Sequence, residues 1–173
     1  MALFEVLLAG HGPNKSIILP SAQPRGMFWS ANTGANSGAG TDASEQITGK
    51  LAAVTDEVLL GFNVRQITSD GLRTETQILW DEGLEGYDKA TMHCSVAPMP
   101  ELMAIEDDST HIYTDSSAPP TAVDDLCNFK AGKLQKAQSG EWGFYQVVGL
   151  IAGVEDATED RFVLQKLDSI KLA

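Results

Sequence analysis

At 173 residues the chain has the length of one domain, and a domain of that size buries roughly 70% of its unfolded surface, enough to fold without disulfides or metal. Its net charge of −12, from 24 acidic against 12 basic residues, argues against nucleic acid and anionic membranes as partners, because both are held by clustered Lys and Arg. The same balance suits a freely soluble protein or one that docks on a basic surface.

The first eight residues, Met1 to Leu8, lack a basic start and carry Glu5 inside a short apolar run, so no secretory leader is expected. No stretch approaches the ~18 apolar residues that span a bilayer. Leu3 to Leu8 reads as a first strand and Ser16 to Leu19 as a second, stopped by Pro20. Pro24-Arg25-Gly26 is a turn, and Met27-Phe28-Trp29 is a compact apolar anchor. From Ser30 to Ser44 the chain is almost wholly Gly, Ala, Ser, Asn and Thr, too poor in apolar mass to order itself. That run is expected to be a loop or an arm held by a neighbour. The shift in composition places an organisational boundary near residue 46. Residues 1–46 would be N-terminal strands plus an arm and 47–173 the main domain, or the two would form one continuous domain.

Gln46 to Val54 and Glu57 to Ile67 follow, joined at Thr55-Asp56. The second places Val58, Leu60, Phe62 and Val64 on one face, with Leu59, Asn63 and Arg65 on the other. Ser69-Asp70-Gly71 predicts a hairpin turn into a strand over Arg73 to Trp80, and Asp81 to Asp88 is an acidic loop. Ala90 to Val96, Leu102 to Ile105 and His111 to Tyr113 are further strands, the last two separated by a turn at Glu106 to Ser109. Pro119-Pro120-Thr121-Ala122-Val123-Asp124-Asp125-Leu126 predicts a helix of a turn or two ending near Gly132, with Thr121 as its N-cap and acidic residues in its first turn. Gly140 to Val154 is the longest apolar, aromatic-rich run and predicts a central pair of strands. Gly149 would mark a bulge between them. After an acidic turn at Val154 to Asp160, Phe162 to about Leu172 is a closing strand. Strands at this spacing with little helix predict a mainly β fold, a sandwich or a barrel with an extended N-terminal arm or loop.

Reactive constellations are sparse. His93 neighbours Cys94, but on a strand adjacent side chains diverge, so no nucleophile–base pair is expected. His11 lies between glycines and reads as a turn residue, and His111 has no second histidine spaced to complete a metal site. Cys94 and Cys127 form no CxxC or Cys/His spacing; buried thiols are the reading, with one disulfide left open. The acidic loops at 81–88 and 155–160 do not follow the alternate-ligand pattern of a calcium loop. Gly38 to Ala43 is formally a G-x-G-x-x-A string without the flanking strand and helix that a dinucleotide needs. No catalytic residue, cofactor or metal is therefore expected.

The segment Glu141-Trp142-Gly143-Phe144-Tyr145-Gln146-Val147-Val148-Gly149 resembles an aromatic-Gly-aromatic-aromatic-Gln-Val-x-Gly strand near the C-terminus of capsid decoration (cement) proteins of tailed bacteriophages. About a dozen residues carry that resemblance. It implies a non-enzymatic virion protein on the capsid surface, assembled in the host cytoplasm, with the major capsid protein and copies of itself as partners. A trimer is favoured, with a dimer as the alternative. Leu3, Phe4, Phe28 and Trp29 are the candidate inter-subunit contacts, because aromatic residues concentrate where partners meet; a core contact within the same domain is the other reading of Phe28 and Trp29. A β-sandwich binding module, for carbohydrate among other ligands, is the alternative function, with Trp80, Tyr87 and Trp142 as stacking platforms.

Overall fold

The computed structural model describes residues 3–18, 23–31, 47–64, 93–107, 110–151 and 160–173. Among them are eleven strands and no helix: β1 (Leu3–Leu8), β2 (Lys15–Ile18), β3 (Phe28–Ala31), β4 (Ile47–Leu51), β5 (Gly61–Asn63), β6 (His93–Ala97), β7 (Leu102–Asp107), β8 (Leu126–Lys130), β9 (Lys133–Lys136), β10 (Trp142–Ile151) and β11 (Asp160–Lys171). Six of them form an antiparallel sheet in the order β1-β7-β11-β10-β8-β9. The remaining five close into a small barrel, β2-β4-β3-β5-β6, in which only β2 and β4 run parallel. The chain is mainly β, as its strand spacing predicts, and it combines a sheet with a barrel.

Strand β3 shows how the two layers share a core. Successive side chains of a strand point to opposite sides. Phe28 turns toward the large sheet and stacks on Phe129 of β8, ring centroids 3.9 Å apart. Its neighbours Met27 and Trp29 pack instead with Leu60 and Val96 of the barrel. Phe4 of β1 closes the cluster against Phe28, Phe62 and Tyr113, at 6.0, 5.1 and 5.9 Å between centroids. Met103, Ile105, Val147, Phe162 and Leu164 supply the apolar floor from the large sheet. Each such side chain contributes about 1.5–3 kcal/mol when fully withdrawn from water. Because β1 to β3 are paired with later strands in both sheets, a cut at residue 46 would divide one core.

Several expectations change in the structure. Of the strand read from Glu57 to Ile67, only Gly61–Asn63 pairs, and residues 65–67 lie outside the described residues. Leu60 and Phe62 are buried but serve different clusters, and Val58 is 70% exposed. The cause is Gly61, at φ +141°, where an added Cβ would lie 1.8 Å from the Ala97 carbonyl oxygen. That backbone kink resets the alternation. No helix begins at Thr121. The Asp125 carboxylate instead accepts from the backbone N–H groups of Thr121 and Ala122, at 2.9 and 3.0 Å, and closes a turn. The chain then enters the hairpin β8–β9, where Ala131 and Gly132, both with positive φ (51° and 77°), make the two-residue turn. Residues 111–113 are irregular and not a strand.

The run from Gly140 is one ten-residue strand, β10, where a pair was expected. Its register against β11 shifts between Val147 and Gly149, at the position read as a bulge, and again between Gly143 and Tyr145. Ser30 and Ala31, the first two residues of the small-residue run Ser30 to Ser44, belong to β3; the rest of that run, the hairpin and strand at 69–80, and the acidic loops at 81–88 and 155–159 lie outside the described residues.

Candidate functional site

Three of the four side chains expected at an inter-subunit contact are used up inside this chain. Phe4, Phe28 and Trp29 are 4%, 1% and 0% exposed, so they have almost no surface to offer a partner. Leu3 starts β1 opposite Glu106 of β7. Trp29 is held by its indole N–H, which donates to Asn63 Oδ1 at 3.0 Å. The same oxygen accepts from the Met27 backbone N–H at 3.0 Å, and Asn63 Nδ2 donates to the Pro24 carbonyl at 2.8 Å. The core contact, the other reading of Phe28 and Trp29, is therefore the one the fold makes.

The two edges of the large sheet are unlike. At one edge, β9 is covered by residues 113–118. The Leu134 N–H donates to the Tyr113 carbonyl, the Asp115 N–H to the Leu134 carbonyl and the Lys136 N–H to the Ala118 carbonyl, each at 2.8 Å. Lys133 adds a bond from its ammonium to the His111 carbonyl at 2.6 Å. At the other edge, β1 pairs with β7 and with no second strand among the described residues. Here Val6, Leu7 and Leu8 are 37%, 43% and 59% exposed, and Ala9 continues the exposed run. The register slips between Val6 and Leu8, so Leu7 is an extra residue in the strand. The Phe4 end of this edge is occupied by Arg25, whose guanidinium donates to the Phe4 carbonyl at 3.1 Å. Glu5 is matched by Arg161 at 2.7 Å.

Unpaired strand edges invite pairing, and folded proteins ordinarily blunt them with charge, cover or a bulge. The far edge has cover and lysines. The near edge has a bulge, one arginine and four exposed apolar residues in a row, a pattern that is unfavourable in water unless it has a use. The sequence carried one signal for it. Val6-Leu7-Leu8-Ala9 breaks the apolar–polar alternation, so both faces of the strand had to be apolar.

The polar groups elsewhere do structural work. Burial would raise the Asp56 carboxyl, but hydrogen bonds from Lys50, Ser30 and the Ala53 N–H outweigh it and hold the group below its usual value of 3.8. Asp125 behaves alike: burial opposes, and Lys136, Thr121 and Ala122 prevail. Cys127 is a free, buried thiol, and burial, with the Asp125 charge adding, pushes it up to about 12. At neutral pH the thiol is therefore protonated, and it is sealed inside the core. Tyr145 donates from its hydroxyl to the Pro100 carbonyl at 2.8 Å in the same core. His111 is engaged with Thr114 at 3.2 Å. His93 and Cys94 are consecutive residues of β6. Among the described residues no three His, Cys, Asp or Glu side chains gather to hold a metal ion.

An open groove of about 260 Å³ runs along the irregular stretch Leu167–Ser169 of β11, walled by Val58, Leu59, Met99 and Phe144. Its ammonium, from Lys166, is already paired with Glu101 at 3.0 Å. Trp142 is half-buried with Lys171 over its ring at 5.9 Å, so that face is taken. Trp80 and Tyr87 lie outside the described residues. Comparison of the chain with family models, with curated proteins and with solved structures finds no match. Among the described residues, Asp56, Asp125 and the Cys127 thiol are tied into the fold, and the β1 edge of the large sheet is apolar and pairs with no second strand.

Proposed function

We propose that this chain is a structural component that works by docking, and that it decorates the outside of a tailed-phage capsid, stabilising the shell by non-covalent contacts to neighbouring capsomers. The observation that carries the docking part is the inequality of the two sheet edges, one covered and one apolar and, among the described residues, without a second strand. The capsid part is supported by the resemblance of Glu141 to Gly149 to the decoration-protein strand. That segment lies mostly in β10, a central strand of the large sheet. A chain of net charge −12 complements a basic shell and does not compete for the packaged genome. Several weak contacts from an oligomer then add through effective concentration.

The test is co-expression with the major capsid protein encoded by the same genome, followed by sedimentation of the heads. The chain should pellet with the heads at saturable stoichiometry, and the decorated heads should survive heating that ruptures bare ones. Binding should weaken as salt rises, because opposite charges are screened. A genome without a capsid gene, or heads that pellet without the chain, would overturn the reading.

A further inference from the structure

We infer that Val6, Leu7 and Leu8 of β1, with Ala9 just beyond it, on an edge that no other described strand covers, are the self-association site of this chain, where β1 of a second copy pairs with it antiparallel about a two-fold axis. The inference rests on the docking function proposed above and names the first partner. In a two-fold contact each patch meets its own copy, so any net charge in it faces the same charge. A chain of charge −12 can therefore join itself cheaply only where its surface is neutral. The run from Val6 to Ala9 has no charged residue, and the flanking Glu5 is matched within the chain by Arg161 at 2.7 Å. A basic partner would be recognised by the acidic surface, and this patch gives it nothing to hold. The edge also has a direction: Arg25 closes the Phe4 end, which leaves the Val6–Leu8 end for the incoming strand. Pairing there would run the two large sheets on as one and cover the exposed apolar side chains. Antiparallel pairing of identical strands is a two-fold operation, so a dimer is expected in place of a trimer.

Sedimentation velocity of the full chain over a concentration series decides it. The wild type should form a dimer that tightens as salt rises, because screening relieves the repulsion between two acidic copies. Leu8→Glu places a carboxylate on a side chain that is 59% exposed. It should weaken dimerisation more than about tenfold while the circular dichroism and melting temperature hold. Val148→Glu, on a residue 42% exposed in β10, should leave dimerisation unchanged. A wild type that stays monomeric at millimolar concentration overturns the inference. So does a dimer indifferent to Leu8→Glu, or association that weakens with salt, the signature of a charged contact elsewhere. Dimerisation without head binding would leave this site standing and remove the capsid reading alone.

Discussion

Asn63 ties a turn, a strand and an indole together from a single buried amide. Its side chain serves Met27, Trp29 and Pro24 at once, while its backbone N–H donates to the Met27 carbonyl at 3.1 Å. Asn63→Leu keeps the branching of the side chain and strands two buried donors and one acceptor, which should cost about 3 kcal/mol or more; the midpoint of a urea titration reads it. Nothing in the sequence marks this residue, which alternation assigns to the opposite face from Phe62. Asp56 is a second such position, and its effect depends on pH. Its folded-state pKa lies below the unfolded value of 3.8, so its stabilisation is complete above that value and is lost as pH falls through the lower, folded one. Asp56→Asn should therefore lower stability by about 1–2 kcal/mol at pH 7, from weakened hydrogen bonds. The gap to the wild type should close only in acid below pH 3.8, which melting curves taken across that range would show.

At the scale of elements, most strands were legible, short ones such as β2 and β7 included, and the hairpin β8–β9 was not. β10 follows from its continuous aromatic and β-branched stretch, β1 from a short apolar run and β11 from alternating apolar and polar residues, and the bulge in β10 follows from Gly149. The segment from Pro119 misled because Pro, Thr and paired Asp residues are also the composition of a capped turn. What decides between turn and helix is the pairing of Leu126–Lys130 with β9 and β10, a tertiary fact that overrides local preference. The β8–β9 turn retains a correctable flaw: Ala131 sits at φ 51°, a conformation Asn adopts more readily. Ala131→Asn should stabilise the protein by about 0.5–1 kcal/mol in thermal unfolding. No change or a loss would mean that the turn contributes little to the folded state.

For the whole molecule, the sequence predicts a β fold but is silent on which strands lie outermost, because strand order is set by contacts far apart along the chain. Leu3 to Leu8 reads the same whether it ends in the middle of a sheet or at its rim. The candidate contact residues suffered from the same gap: aromatic side chains are as much at home in a core as at an interface, and Phe4, Phe28 and Trp29 went to the core. Among the described residues, the longest exposed apolar run is aliphatic and sits at the end of β1. Deleting residues 1–46 would remove β1, β2 and β3 together with those aromatics. It should yield an unfolded remainder and not a folded protein that has lost its partner, as the loss of amide-exchange protection in β7 and β11 would report.

The place of β11 in the large sheet has a consequence in time. Of the eleven strands it is made last, yet it lies between β7 and β10. A ribosome must therefore release the whole of it before its two neighbours can join. Until then the large sheet is in two pieces, β1-β7 and β10-β8-β9, and it should close only once residues 160–171 have left the exit tunnel.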